Sequence, residues 1–159
     1  MKIFYHCYAG AHSSVVASAL HCGILPLERL PSLEEITAVP YFDQTSPNLV
    51  GTPYFMGHDE YNNEVFFIGM FRRSDLVKRA IYSFFELCEI PQEQSRFIDA
   101  LHVINLSTKI GGGMSRRFGC VRTGRWLSSW GVQRCYPGFV ELVKGVKYEL
   151  QQHQSLAKT

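Results

Sequence analysis

The sequence predicts an α/β fold, a small and partly parallel sheet flanked by helices, to which a β-hairpin is added. Apolar runs suited to strands alternate with segments of helical periodicity, and glycines and prolines mark their junctions. Two aromatic-rich runs also flank an Asn62, Asn63 turn. The 159 residues, 46% of them hydrophobic, suffice for one buried core, so we expect a single domain with a polar tail from about residue 152.

The N-terminal elements are a strand and a helix joined by small residues. "KIFYHC", residues 2–7, is an apolar run that predicts a buried strand, and the small residues 9–11 end it. A helix is expected next, with Ser13 or Ser14 as its N-cap and Gly23 at its left-handed exit.

The middle of the chain predicts a short helix, the hairpin and a long helix. Ser32 and Glu35 have the spacing of a capping box, and Pro40 ends the helix that they begin. The aromatic runs within residues 52–70 form the hairpin. Ser74 is expected to cap an amphipathic helix that covers the sheet. Its predicted apolar face consists of Val77, Ala80, Ile81, Phe84 and Cys88.

The last third of the chain predicts one more strand and one more helix. "RFIDALHVINL", residues 96–106, reads as a second buried strand, and the glycine run 111–113 follows it. Pro137 suits the first turn of a helix. The expected buried stripe of that helix is Phe139, Val143, Val146 and Leu150.

Composition narrows the class of protein. No stretch approaches the roughly 20 apolar residues of a membrane-spanning helix, and the first residues lack the features of a secretory signal. The cysteines form no C-x-x-C pair, so neither a disulfide framework nor a zinc ribbon is expected. We therefore expect a cytoplasmic protein with reduced thiols and no membrane partner.

Charge is distributed unevenly along the chain. Residues 1–99 hold 7 Lys and Arg against 12 Asp and Glu, whereas residues 100–159 hold 9 against 2. A basic surface of this kind suits phosphates or an acidic partner, or it pairs with the acidic half of the same fold. The acid-free stretch between Asp99 and Glu141 contains Lys109, Arg116, Arg117, Arg122, Arg125 and Arg134.

The segment "HCYAGAHSS", residues 6–14, is the strongest candidate site. A strand, a turn of small residues and a helix that opens with two serines bring unpaired amides and the positive end of a helix dipole together, where an anion is favoured. We predict that Gly10, Ser13 and Ser14 cradle a phosphate and that His12 donates a hydrogen bond or a proton. This strand-loop-helix unit resembles a nucleotide-binding P-loop, although the first glycine of that motif is missing and His12 stands nearest to its lysine.

Cys7 is a second candidate for the reactive group. A thiolate between a strand and a helix N-terminus is stabilised by the helix dipole and by a neighbouring His6 or His12. The loop looks similar to the C-x5-R loop of phosphotyrosine phosphatases up to its last position, where Ser13 replaces the arginine. The alternative interpretation is a buried apolar cysteine.

The glycine run could complete the site. Glycines let the backbone approach a ligand closely, and Lys109, Arg116 and Arg117 could neutralise its phosphates; the alternative is a flexible turn with solvated charges. Because parallel strands end at one edge of a sheet, this segment and the first loop are expected to meet there if the strands are parallel.

Metal and nucleic-acid sites are less favoured by the sequence. His6, Cys7, His12 and His21 match no zinc spacing, and a hydrogen-bonded structural histidine is the commoner case, so no metal site is predicted. Another set, His58, Asp59 and Glu60, could hold a metal or act as a base, but we interpret it as a solvated turn. Aromatics also alternate with arginines, which would suit stacking on bases, but aromatics at helical spacing are more often part of a core, so this signal for nucleic acid is weak. These residues are Phe118, Arg122, Arg125, Trp126 and Trp130.

Several segments resemble one known family. They are "YHCYAGAHSSVVASALHCG", "LPSLEEI", "PYFD", "FMGHDEYNNEV" and "IGGGMSRRFG". Together they are similar to an uncharacterised family of Firmicutes, the domain-of-unknown-function family 3189, in which typical members have glycine where Ala9 stands. The resemblance implies a cytosolic bacterial protein of a spore-forming lineage, and it implies no activity, substrate or catalytic residue.

Two functions follow as hypotheses. The first is binding of a phosphorylated small molecule or nucleotide, with Mg²⁺ accompanying a nucleotide, between the 6–14 loop and residues 109–117. If the protein is an enzyme, phosphoryl transfer or phosphate-ester hydrolysis with His12 or Cys7 as the reactive group fits best. The alternative is a non-catalytic regulatory or interaction protein whose basic C-terminal half binds an acidic protein or RNA, through residues such as Arg122 and Arg125.

Overall fold

A four-stranded mixed sheet forms the centre of the fold, as shown by a computed structural model that describes residues 1–103 and 121–156. The strands are β1 (Lys2–Cys7), β2 (Tyr54–His58), β3 (Glu64–Gly69) and β4 (Ser95–Asp99). The described helices are α1 (Ser13–His21), α2 (Leu33–Ala38), α3 (Ser74–Leu87), α4 (Val121–Arg134) and α5 (Tyr136–Leu156). The predicted α/β class is confirmed, together with helices on both faces of the sheet.

The strand order is β2-β3-β1-β4, so β1 lies inside the sheet. β1 is parallel to both of its neighbours, with Phe4 opposite Phe66 of β3 and Phe97 of β4. β2 runs antiparallel to β3 and forms the predicted hairpin with it. Since β1, β3 and β4 are parallel, their carboxyl ends meet at one edge of the sheet, as the sequence predicted for β1 and β4.

One face of the sheet packs against the main helical layer. Alternate residues of a strand share a face, and Ile3 and Tyr5 of β1 point toward α1 together with Val65 and Phe67 of β3. α1 contacts both the sheet and α5. Each fully buried large side chain here contributes about 1.5–3 kcal/mol relative to exposure. The helix residues of this core include Val16, Ala19, Leu20, Phe139, Val143 and Leu150.

The other face of the sheet packs against α3 through aromatic side chains. The Phe4 ring stacks between Phe66 and Phe97, at centroid distances of 4.9 and 4.7 Å. From α3, Phe85 reaches Phe4, with a centroid distance of 6.1 Å, and Tyr82 contacts Phe97. The predicted amphipathic helix therefore covers the sheet, and Phe85 is its most buried residue.

The details predicted for α3 are partly wrong. Phe84 is 62% exposed and Cys88 is exposed as well, because Phe85 occupies the position that faces the aromatic stack. The N-cap is Arg73, and Ser74 lies inside the first turn instead of capping it. Helical periodicity could not decide between two adjacent phenylalanines at the edge of the apolar stripe.

Three helix boundaries agree with local sequence signals, whereas one strand is shorter than predicted. The Ser32–Glu35 capping box forms as predicted, and Gly23 follows α1 with a φ of 72°. α5 begins beside Pro137, as expected. The strand predicted over 96–106 is shorter, because β4 ends at Asp99 and a 3-10 turn follows it. α4 was not predicted.

A buried polar network fastens the hairpin to α1 and β1, at the sheet edge opposite the loop of residues 8–12. The Tyr5 hydroxyl lies 2.7 Å from His21 Nδ1, and His21 Nε2 lies 3.2 Å from Asp59 Oδ2. An ionised carboxylate only accepts hydrogen bonds, so Nε2 donates to Asp59 and Nδ1 accepts from Tyr5. Burial lowers the pKa of His21, which keeps the ring neutral.

The prediction of a solvated turn is correct for His58 and Glu60, which are exposed, and wrong for Asp59. Its side chain is buried and accepts hydrogen bonds from the amides of Tyr61 and Asn63 and from Asn63 Nδ2. Burial by itself raises the pKa of Asp59, but these hydrogen bonds and that from His21 outweigh it and leave the pKa below its usual range. The buried Asp59 carboxylate therefore stabilises the turn by accepting hydrogen bonds from it.

None of the helices described above has both the length and the apolar character that a bilayer crossing requires.

Replacing Asp59 should be among the most destabilising single changes in the hairpin. Asp59→Ala leaves the buried donors of His21 and Asn63 and the partly buried Tyr61 amide without an acceptor, and we expect the free energy of unfolding to fall by about 3–5 kcal/mol. Glu60→Ala is the matched control, since Glu60 makes a surface ion pair with Lys147 and should cost less than about 1 kcal/mol. Urea unfolding measures both, and equal losses would contradict the structural role of Asp59.

Candidate functional site

The candidate site begins where β1 ends. The β1–β3 pairing continues past the strand, because the Met70 amide donates to the Cys7 carbonyl and the Phe71 amide donates to the Tyr8 carbonyl. The chain then turns at Gly10 and enters α1 three residues later. The loop thus lies at the carboxyl edge of the parallel strands, where α/β folds usually bind ligands.

The turn requires two glycines that face each other. Gly10 has a φ of 68°, and a Cβ on it would lie 2.7 Å from the Gly69 amide nitrogen. A Cβ on Gly69 would lie 2.7 Å from the Ala9 carbonyl carbon. The backbones of the loop and of β3 are therefore in direct contact, which explains Gly10 without any ligand.

The sulfur of Cys7 lies inside this loop. Cys7 Sγ accepts a hydrogen bond from the Gly10 amide at 3.2 Å and lies 3.1 Å from Ser14 Oγ. The residue is buried, and alternation along β1 directs it toward α1. Ser14 was predicted as a possible N-cap, and that prediction is wrong, because its hydroxyl bonds to the sulfur instead of a helix amide.

The N-terminus of α1 has unused hydrogen-bond donors. His12 occupies the N-cap position without a side-chain cap, and the first amide to donate along the helix is that of Val16, to the His12 carbonyl. The amides of Ser13 and Ser14 precede this first intrahelical donor, and the amides of a helix's first turn have no acceptor within the helix. Ser13 is 1% exposed, and its Oγ has no hydrogen-bond partner in the described part of the chain. Ser13 was the other predicted N-cap, and it is the first helical residue instead.

His12 is held by an aspartate that sequence reasoning missed. Its Nε2 lies 3.1 Å from Oδ1 of Asp43, and its ring packs edge-on against Phe42. The Asp43 amide also donates to the Ala11 carbonyl, so the aspartate is tied to the loop by backbone as well. Tyr41 and Asp43 both have positive φ, which places them in a tight turn after Pro40. The sequence signal at Asp43 was only that of a turn after Pro40, and it did not indicate a contact with His12.

His6 does not belong to the loop. It points to the opposite face of the sheet from Cys7, where its Nδ1 lies 4.0 Å from Asp99 Oδ1 and its Nε2 has no partner among the described residues. Burial, together with the nearby positive charge of Lys78, lowers the pKa of His6 to about 4, so the ring is neutral. The expectation that His6 would assist Cys7 is wrong, because adjacent strand residues face opposite sides.

The structure does not describe the three basic residues that were predicted to neutralise the ligand. Lys109, Arg116 and Arg117 lie outside the described residues, so their predicted contact with the loop stays a prediction. Arg122 and Arg125 belong to α4, of which only the backbone is described at those positions. Farther along α4, the Arg134 guanidinium stacks on Trp130 at 4.7 Å.

No group of three or more His, Cys, Asp or Glu side chains with the arrangement of a metal site occurs within the described residues. The four residues considered as metal ligands contact other side chains instead, and His6 lies next to Asp99 as described above. His12 pairs with Asp43, Cys7 with Ser14, and His21 with Tyr5 and Asp59. His21 is thus the hydrogen-bonded structural histidine that the sequence favoured.

Comparison with known proteins gives one family and no further relatives. A family model described as "Protein of unknown function (DUF3189)" matches residues 2–148. Neither the curated proteins nor the solved structures yield a match. The matched range includes the whole loop, α1 and the four strands.

Gly10→Ala should destabilise the fold more than the same change at another left-handed glycine. Gly23 has a φ of 72°, but no described atom lies within 4 Å of the place where its Cβ would be. Gly23→Ala therefore measures backbone strain alone, about 1–2 kcal/mol. Gly10→Ala should cost about 1–3 kcal/mol more, because the methyl group meets the Gly69 backbone. If chemical denaturation shows that both variants lose the same free energy of unfolding, the contact between the loop and β3 does not constrain Gly10.

Acid should destabilise the protein through His6. The unfolded ring binds a proton near pH 6.5, whereas the folded ring does so only near pH 4. Between these values the unfolded state holds more protons, so stability falls as the pH falls. From about pH 7.5 to about pH 5.5 the wild type should lose roughly 1.4 kcal/mol more than His6→Leu. Urea midpoints at both pH values measure this, and parallel losses would refute it.

Proposed function

Because the chain belongs to the DUF3189 family, whose description gives no function, we propose one from the geometry of the loop: the protein binds a phosphorylated small molecule or nucleotide at the N-terminus of α1. The phosphoryl group accepts hydrogen bonds from the Ser13 and Ser14 amides and from the Ser13 hydroxyl. Gly10 makes the turn that presents these groups.

One observation carries the proposal. The buried Ser13 hydroxyl has no partner among the described residues, and it belongs to the first turn of a helix that has no side-chain cap. A buried polar group without a hydrogen bond costs about 1–3 kcal/mol, so native proteins seldom retain one without use. An anion with several acceptor oxygens would satisfy the hydroxyl and the amides together, and the helix dipole favours its charge.

His12 and Cys7 are the two reactive groups that the loop offers. His12, oriented by Asp43, can donate a proton or a hydrogen bond, and Cys7 can act as a nucleophile. Phosphoryl transfer or phosphate-ester hydrolysis fits this pair best. His6 is not included, because it faces the other side of the sheet.

The remaining features of the proposal rest on sequence. Lys109, Arg116 and Arg117 offset the charge of the ligand, and Mg²⁺ accompanies it if it is a nucleotide. The likeness of the loop to a P-loop, a cytoplasmic location and an origin in spore-forming Firmicutes stand as part of the same proposal.

Ser13→Ala should weaken phosphate binding about tenfold, because it removes one hydrogen bond to a charged acceptor. Ser18→Ala is the matched control, since Ser18 is also buried in α1 but its hydroxyl already donates to the Val15 carbonyl. Calorimetric titration with inorganic phosphate, AMP and ATP, with and without Mg²⁺, measures the affinities. His12→Ala should lower them as well, or abolish turnover.

The same titrations separate the proposal from its rival. If no phosphate compound binds, the proposal is wrong, and the interaction protein with a basic C-terminal half becomes the better explanation. Charge reversal at Arg122 and Arg125 should then abolish binding to an acidic protein or RNA, whereas Ser13→Ala should leave it unchanged.

A further inference from the structure

We propose that Cys7 is the nucleophile that attacks phosphate monoesters in this loop, with Ser14 as the residue that positions its sulfur. This inference rests on the proposed function, since it requires a phosphoryl group at the N-terminus of α1. It goes further by choosing Cys7 over His12 and by naming the substrate class.

The first reason is the environment of the sulfur. Cys7 Sγ has two polar contacts in the loop. The Gly10 amide donates a hydrogen bond to it, and Ser14 Oγ lies 3.1 Å away. The sulfur also lies beside the first turn of α1, where negative charge is favoured. A thiolate attacks phosphorus, so a nucleophilic cysteine needs such surroundings.

Cys22 shows what the surroundings of an inert thiol look like in the same chain. It is partly buried at the other end of α1, near Asp59. Burial and the neighbouring carboxylate raise its pKa to about 12, so the sulfur keeps its proton at neutral pH. Cys7 has a backbone amide as neighbour where Cys22 has a carboxylate.

The second reason is independent of the cysteine and points to the ligand. Ser13 follows the loop directly, its buried hydroxyl lacks a partner within the described residues, and the first turn of α1 that it begins has no side-chain cap. A phosphoryl group that satisfies this hydroxyl would lie at the helix N-terminus beside the sulfur. The loop therefore offers a nucleophile and an oxyanion cradle at one place, which is the arrangement that covalent catalysis needs.

The contacts of His12 assign it the complementary role. Its Nε2 is engaged by Asp43 at 3.1 Å, which fixes the ring in one orientation. An imidazole held by a carboxylate in this way serves as a proton donor and acceptor more readily than as an attacking group. We therefore assign the acid–base work to His12 and the attack to Cys7.

Burial limits the substrate. Cys7 is 6% exposed and Ser13 is 1% exposed. A phosphate monoester has three unsubstituted oxygens on phosphorus to accept hydrogen bonds from the Ser13 hydroxyl and the helix N-terminus, whereas a diester has two and a second bulky substituent. The class is therefore phosphate monoesters of alcohols or phenols.

The chemistry balances in two steps. The Cys7 thiolate forms a bond to phosphorus while the ester P–O bond breaks, and the leaving oxygen takes a proton from His12. Water then attacks the cysteinyl phosphate, transfers a proton to His12 and releases inorganic phosphate as the S–P bond breaks and the thiolate returns. Nothing is oxidised or reduced, and the co-reactant is water.

The first experiment follows hydrolysis of p-nitrophenyl phosphate by the full chain. Cys7→Ser, which keeps a hydrogen-bonding group of similar size, should lower kcat/KM on the order of a thousandfold, and Cys88→Ser should leave it unchanged, since Cys88 is exposed on α3. Acid quenching of the wild type should yield protein heavier by one phosphoryl group, located on Cys7 by peptide mass spectrometry. If Cys7→Ser keeps full activity, or the group is found on His12, the assignment to Cys7 is wrong.

Ser14 is tested by a pH profile. If its hydroxyl stabilises the thiolate, Ser14→Ala should move the acidic limb of kcat/KM to higher pH and lower kcat more than it raises KM, and Ser14→Thr should restore both. Ser18→Ala is again the control within α1. A fall in activity with an unmoved pH profile would overturn the positioning role.

Binding measurements separate this inference from the proposed function. Cys7→Ser should still bind inorganic phosphate, because the helix amides and the Ser13 hydroxyl are intact. Phosphate binding without any turnover by the wild type would overturn the covalent step and leave the proposed function standing. Absence of phosphate binding in the wild type would overturn both.

Discussion

The contact between the Gly10 and Gly69 backbones is the constraint on which the loop region depends. The two chains approach so closely that neither position has room for a Cβ. This contact bends the chain out of β1 and directs it into α1, with the Cys7 sulfur between them. It also fixes α1 relative to β3, since the loop and the end of β3 share backbone hydrogen bonds. The candidate site is therefore built on rigid backbone.

α1 is held at both ends by different kinds of interaction. At its N-terminus the contacts are backbone packing and a sulfur–hydroxyl hydrogen bond. At its C-terminus a buried chain of hydrogen bonds links Tyr5, His21 and Asp59. The second set satisfies its polar side chains with one another, whereas the first leaves the Ser13 hydroxyl without a partner among the described residues. Fully satisfied networks give rigidity, and unsatisfied ones mark places where a ligand can bind.

Sequence reasoning succeeded where the signal was local and failed where a partner came from far along the chain. The capping box at Ser32, the hairpin and the loop after β1 follow from neighbouring residues, and all three are present. The pairings of Asp43 with His12 and of Asp59 with His21 could not be recognised, because the fold brings together residues that lie about 30 and 40 positions apart. Alternation along β1 did contain the information that His6 and Cys7 face opposite sides.

The position of β1 inside the sheet has a consequence for how the chain comes to fold. β1 is made first, yet Lys2 pairs with Glu64 on one side and with Ser95 on the other, roughly 60 and 90 residues later. During synthesis both edges of β1 therefore stay unpaired until β3 and β4 have been made. Closing such long loops is slow, and an apolar strand with two free edges invites association with other chains. A growing chain of this protein is accordingly most in need of chaperone protection before β3 emerges.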